Sequence, residues 1–166
     1  ELMLDAASGR NAMYHGSVQR PWRKVETLDP EEYPVFERLQ DVPAGVWHNP
    51  HLVVEKFLPE IDGELFSMRV ALFMGDLVRC GRSWSRSPIV KGASIVRSEP
   101  IATPAGFKAV RERFGIDYGK IDYVEHAGEI QVIDVNKTPG GLRDREINAR
   151  LGGLLADGVL PWLDAA

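Results

Sequence analysis

The run Lys120-Ile121-Asp122-Tyr123-Val124-Glu125-His126-Ala127-Gly128-Glu129-Ile130-Gln131-Val132-Ile133-Asp134-Val135-Asn136 decides how the chain is read. It predicts two strands, 120–125 and 129–135, joined through His126-Ala127-Gly128, because β-prone residues flank a Gly-containing turn. Side chains alternate faces along a strand. One face then carries Ile121 and Tyr123 with Ile133 and Val135. The other carries Asp122 and Val124 with Ile130, Val132, Asp134 and Asn136. A three-residue turn centred on Gly128 sets Asp122 directly across from Asp134, and a slip of one residue separates them.

Two carboxylates facing across a ladder repel by a few tenths to about 1 kcal/mol, so a partner of opposite charge is expected. A hard divalent cation meets that need, and Asn136 adds a neutral oxygen on the same face. A solvated polar sheet edge is the alternative reading of the same residues. Lys120, at the outer end of its strand, is open between a phosphate contact and a surface charge. The Lys137-Thr138-Pro139-Gly140-Gly141 run beyond it leaves backbone N–H groups accessible before a helix start, a natural anion site. It also reads as a plain strand-to-helix turn.

Working outward, strand runs are predicted at 51–58 (HLVVEKFL), closed by Pro59, and at 64–74, followed by the turn signal Gly75-Asp76. Residues 77–96 continue as β-prone pieces broken by Gly81, Pro88 and Gly92. An exposed strand is read over 23–27, and the small, polar stretch 6–16 reads as a loop. Three helices are expected. The first is capped by Asp29, with Pro30 in its first turn, Glu32 completing a capping box, and Val35, Phe36 and Leu39 on its apolar face; Val42-Pro43-Ala44-Gly45 ends it. The second is capped by Thr103, begins at Pro104, buries Phe107, Val110 and Phe114, and stops at Gly115. The third spans 143–155 with Ile147, Leu151 and Leu154 on one side. Hairpins outnumber helices, which gives an α+β fold, a largely antiparallel sheet with covering helices.

Composition sets the outer bounds. The 166 residues are 44% hydrophobic and 27% charged, enough for a packed core and too apolar for a disordered chain. Twenty Lys+Arg against 24 Asp+Glu leave a net charge of −4, which excludes a generally basic nucleic-acid coat. Residues 77–98 nevertheless hold Arg79, Arg82, Arg86, Lys91 and Arg97 with no acidic residue. That stretch suits a polyanion such as triphosphate, or single-stranded nucleic acid with Trp84 as a stacking platform; solvated loop arginines are the plain reading. Arg69 lies on a strand pointing into the same region and is a further candidate phosphate contact. Cys80 is the single cysteine, so no internal disulfide forms and an intracellular, cytoplasmic setting is expected. His15, His48, His51 and His126 are scattered without metal-ligand spacing. No apolar run reaches the roughly 20 residues of a membrane helix.

The metal-motif segment as a whole resembles the ATP-grasp ligase signature. There an Asp, a hairpin, and then an acidic residue, one spacer, Asn and x-[ST]-Pro-Gly hold the magnesium ions of Mg·ATP. On that resemblance Asp122, Asp134 and Asn136 are the metal ligands, with Mg2+ (or Mn2+) and ATP as cofactors. Lys120 falls where the family has a basic residue facing phosphate or substrate, and Gly140 where a backbone amide faces the acyl intermediate. Lys120, Arg69 and Gly140 are thus the candidate catalytic positions. The family usually has Glu where this chain has Asp134, one methylene shorter. About 60 residues upstream, Val53-Val54-Glu55-Lys56-Phe57-Leu58 and then Gly63-Glu64 resemble the adenine hinge of the same family. The resemblance gives Glu55, Lys56, Phe57 and Leu58 the adenine edge and Glu64 the ribose hydroxyls.

The resemblance implies a carboxylate–amine or carboxylate–thiol ligase working through an acylphosphate, with small-molecule acid and acceptor substrates. A nucleic-acid partner and a membrane are not implied, and a homodimer is left open. The likeness covers 53 to 142. The family's upstream α/β domain and glycine-rich loop have no counterpart, so the chain reads as the C-terminal part of such a protein. Residues 1–52 are then a remnant of the small subdomain, and 53–166 the C-terminal subdomain with hinge and metal site. Two rivals are a nucleotide-binding pseudoenzyme and a nucleic-acid-binding α+β module built on 79–97.

Overall fold

A computed structural model describes residues 20–28, 33–139, 149, 152–153 and 155–163. Its elements in chain order are α1 (Ala44–Trp47), β1 (Glu60–Asp62), β2 (Leu65–Met74), β3 (Leu77–Ser85), β4 (Ile95–Ile101), α2 (Phe107–Phe114), β5 (Tyr118–His126), β6 (Glu129–Asn136) and α3 (Leu160–Leu163). The strands form one sheet in the order β4-β3-β2-β5-β6, with β1 added on β2. Every pairing is antiparallel. The α+β class and the antiparallel sheet expected from the sequence are both present.

The β2–β3 hairpin turns at Gly75-Asp76 as the sequence signals, with Met74 paired to Leu77. The ladder then runs through Gly81 without a break, so the 77–96 pieces resolve into one long strand and the start of β4. On the odd-numbered residues of β2, Ala71 pairs with both Cys80 and Ile121. Those residues, with Phe73, Tyr123, Phe107 and Ile116, form the main buried cluster. Helix α2 covers this face through Phe107, whose ring meets Phe73 edge-on at 5.9 Å and Tyr123 at 6.1 Å. Gly115, in the left-handed region at φ 59°, ends α2 where the sequence placed the stop.

Several expectations need correction. The predicted helix after Asp29 is not formed over residues 33–36, and only a short 3-10 turn at Leu39–Asp41 follows. Pro34 explains this, since a proline disfavours the helical conformation for Tyr33 and removes a backbone donor. Val42-Pro43-Ala44-Gly45, read as a stop, instead leads into α1. The 23–27 strand is a 3-10 turn, Trp22–Lys24, followed by irregular chain. Residues 52–59 belong to no strand, although HLVVEKFL is β-prone. Val53 is 81% exposed there, and without a partner strand β-propensity has nothing to pack against. Helix α2 starts at Phe107 rather than Pro104, because Thr103-Pro104 is spent on a turn whose Pro104 carbonyl accepts the Phe107 N–H at 3.2 Å. The 6–16 loop, the first-turn residues 29–32, and Ile147, Leu151 and Leu154 of the third helix lie outside the described residues; Ala149, Gly152, Gly153, Leu155 and Ala156 of that stretch are helical.

A second cluster of Trp22, Val42 and Val46, flanked by Val25, Leu28, Phe36 and Leu52, organises the chain before the sheet. Buried Asn49 stitches it, donating to the carbonyls of Trp22 and Val25 at 2.7 Å each and accepting the His51 N–H at 2.9 Å.

The core should make the protein alkali-sensitive. Burial raises the Cys80 thiol above its ordinary value, against a hydrogen bond with Thr103 that pulls it down. Burial likewise lifts the Tyr123 phenol well above the usual range, reinforced by Cys80. Both groups are held neutral in the fold while the unfolded chain ionises first. Their stabilisation is therefore complete below the unfolded values and falls as pH rises through roughly 9 to 11, at up to about 1.4 kcal/mol per pH unit for each group. Thermal unfolding followed across that range should show the decline, and Cys80→Ala should remove its lower part.

Candidate metal and phosphate site

The β5–β6 hairpin turns on two residues, Ala127 and Gly128, both at positive φ (52° and 80°). His126 pairs with Glu129, Tyr123 with Val132, and then the register shifts so that Asp122 pairs with Asp134 and Lys120 with Asn136. Ile133 is the extra residue of a β-bulge, and it is exposed. The sequence expectation that Asp122 faces Asp134 holds, though by a shorter turn plus a bulge. The bulge also revises the faces. Ile130 and Val132 pack with Val135 against the Ile121–Tyr123 core, and Ile133 does not.

Two rungs, separated by the Ile121–Val135 pair, therefore carry Lys120 with Asn136 and Asp122 with Asp134 on the sheet face turned away from α2. Directly paired antiparallel residues lie about 4.5–5.5 Å apart at their Cα atoms. Lys120 Nζ donates to Asp122 Oδ2 at 2.7 Å. Asp122 is 9% exposed, and its Oδ1 is buried with no hydrogen-bond partner. Asn136 Oδ1 accepts the Thr138 N–H at 2.9 Å and keeps a second lone pair. Asp134 stands exposed across the rung.

This set fits a hard divalent cation: two carboxylates and an amide oxygen, with one buried carboxylate oxygen unmet. Among the described residues no three His, Cys, Asp or Glu side chains converge. A cation held there would take its remaining ligands from outside the protein.

The same face continues across β2, where Val70 pairs with Asp122 and Leu72 with Lys120, and on to Arg79 of β3 opposite Leu72. Phe66, Met68, Val70 and Leu72 run along it as an apolar track. The Phe57 ring lies against Phe66 at 6.5 Å, so the 52–59 segment abuts one end of that track. Glu55 and Lys56 are exposed, Phe57 and Leu58 half-buried, and Glu64 sits in the β1–β2 turn. Because 52–59 is in no strand, its backbone polar groups are not spent on the ladder. Gly140 lies outside the described residues.

Gly119, beside this site, admits no side chain: a Cβ there would stand 2.7 Å from the Asn136 carbonyl oxygen and 3.4 Å from the Phe73 ring. Gly119→Ala should cost about 1–3 kcal/mol in urea unfolding and push the Asn136 rung outward.

Arg69 is not brought to these carboxylates. It pairs with Tyr123 and Arg82, on the opposite face. Its guanidinium is held by Glu60 at 3.0 Å and by Glu125 at 2.8 Å. Burial opposes its charge, but the Glu60 hydrogen bonds and charge outweigh that and hold the pKa above the ordinary value. Arg82 joins the same Glu60 at 2.8 Å and donates to Ser67 Oγ at 2.9 Å. Glu60, 8% exposed, also accepts the Glu125 backbone N–H at 2.9 Å. Trp84 is 1% exposed, donates to Asp62 at 2.9 Å, and lies under Arg97 at 3.8 Å and Arg82 at 4.6 Å. The proposed stacking platform is thus enclosed, and Arg82 of the basic stretch is committed to Glu60. Sequence reading missed Glu60 and its network; the one available signal was the i, i+2 spacing of Arg82 and Trp84 on a strand facing Arg69 and Ser67.

Among the described residues no helix is long and apolar enough to cross a membrane. No protein-family model matches the chain, and no curated protein matches it significantly.

Proposed function

We propose that the chain is the nucleotide- and metal-binding part of an ATP- and Mg2+-dependent carboxylate ligase of ATP-grasp type. The observation that carries the reading is the rung pairing Asp122 with Asp134, Asn136 on the same face, with a buried Asp122 oxygen lacking a partner. Two further features support it. Lys120 shares the site, and the Glu55–Leu58 segment abuts the same face through Phe57 and Phe66.

In this reading Asp122, Asp134 and Asn136 hold Mg2+, and Glu55 to Leu58 receive the adenine edge on free backbone groups, with Glu64 at the ribose. Met68, Val70 and Leu72 would offer a bound nucleotide an apolar surface. Mg·ATP would supply its γ-phosphoryl group to a substrate carboxylate, releasing ADP, and an amine or thiol would then displace phosphate from the acylphosphate. The chain's own part is positioning and charge neutralisation by Lys120 and the metal ligands; no protein nucleophile is required. Arg69 is left as a structural ion pair, and the lone cysteine suits a cytoplasmic setting.

The test is carboxylate activation itself. The chain is incubated with Mg·ATP, a panel of small carboxylic acids and hydroxylamine. Hydroxamate together with ADP, formed with one class of acid, supports the ligase. A second reading, a non-catalytic nucleotide-binding domain, is favoured by the ammonium of Lys120 sitting on Asp122. Nucleotide binding without ADP or hydroxamate for any acid would select it.

A further inference from the structure

We propose that Lys120 is a resident counter-ion of the metal site, exchanged for the divalent cation only when phosphate arrives with it. The metal and nucleotide identities rest on the preceding reading; the exchange is tested without them. Asp122 is nine-tenths buried, faces Asp134 across the ladder, and has one oxygen on Lys120 at 2.7 Å and the other without a partner. Two such carboxylates repel unless a positive charge sits between or beside them. The ammonium supplies it. Lys120 is flanked by Leu72 on β2 and Asn136 on β6, neither of which competes for its charge.

A lysine ammonium is a compact point charge on a flexible stem, so it can swing a few ångströms without disturbing the strand. A lone metal ion entering at Asp122 would have to expel the ammonium with no new partner for it. A metal ion carrying a triphosphate brings that partner, because the displaced ammonium then faces phosphate oxygens. Lys120 therefore discriminates against free metal and couples metal entry to nucleotide.

The experiment titrates Mn2+, read by its electron paramagnetic resonance signal, into the full chain and into Lys120→Met, Lys120→Gln and Lys120→Met with Asp122→Asn. Thermal unfolding is followed for each, and Lys120→Gln serves if the methionine variant does not fold. Both single variants should bind free Mn2+ on the order of tenfold more tightly than the unmutated chain. The double variant should lose that gain. Metal affinities equal to or weaker than the unmutated chain in both folded single variants would overturn the exchange. Calorimetry with Mg·ATP separates the two claims. Tighter Mn2+ binding in the variants with no Mg·ATP binding anywhere leaves the exchange standing and removes the ligase reading. Mg·ATP binding by the unmutated chain with no Mn2+ gain does the reverse. Silence in both titrations overturns both.

Discussion

Asp122→Asn combined with Asp134→Asn should weaken Mg·ATP binding on the order of 100-fold, about 2.7 kcal/mol, while metal-free ATP binds nearly as before or slightly better. The asymmetry follows from what each residue does. The carboxylates hold the cation, and without it they repel the triphosphate. Their removal therefore costs affinity only when metal is present. Asparagine retains size and an oxygen donor, so the rung and its packing survive; the next rung on that face already contains Asn136 without loss of the ladder. Competition calorimetry with ATP in magnesium and in chelator reads the difference directly. Equal weakening in both conditions would mean that the pair shapes the sheet and does not hold a cation.

Glu60→Gln should destabilise the fold by about 3–5 kcal/mol, the largest effect expected of any single polar substitution here. The carboxylate is buried and serves Arg69, Arg82 and the Glu125 backbone N–H together. Neutralising it leaves two guanidinium groups, themselves less than one-fifth exposed, competing for Glu125 and Asp62. Arg82→Met in the same background should restore part of the loss, because it withdraws one of the unpaired charges. Urea unfolding of the single and double variants measures both. A loss below about 1 kcal/mol for Glu60→Gln would place the network among ordinary surface ion pairs. Since this face is separated by the sheet from Asp122, the surviving folded fraction should bind nucleotide as before.

The fold was most legible where local chemistry and burial agree. Alternating apolar residues and a Gly-Asp turn gave β2 and β3, and the glycine at 115 gave the end of α2. The pairing of Asp122 with Asp134 was legible only by coincidence of two departures. The turn uses Ala127 in the left-handed region, which sequence rules reserve for Gly or Asn, and the lost residue returns as a bulge at Ile133. A β-branched apolar residue left exposed at a bulge carries no signature of its own. Residues 33–39 misled because capping signals outweighed Pro34 in the reading, whereas in the chain the proline wins. HLVVEKFL misled because β-propensity is a preference for a packed, paired surface, and no strand pairs with it.

Of the site, alternation alone showed that Asp134 and Asn136 share one face of their strand, but not that Asp122 stands opposite Asp134. The fate of the arginines was not. Arg69 and Arg82 looked like polyanion contacts because their partner, Glu60, is distant from Arg82 in sequence and joins only through the β1–β2–β3 pairing. Parity settles the matter once the register is known. Arg69 shares a face with Tyr123 and cannot share one with Asp122.

Nucleotide binding through a metal on the Asp122 face of β2, β5 and β6 is tested most directly by a calorimetric titration of ATP into the full chain, with Mg2+ and again with chelator. Saturable binding that strengthens at least about tenfold when Mg2+ is present is the expected result, since the carboxylate pair repels a bare triphosphate and attracts one that carries its cation. Saturable binding indifferent to Mg2+, or none in either condition, would contradict it.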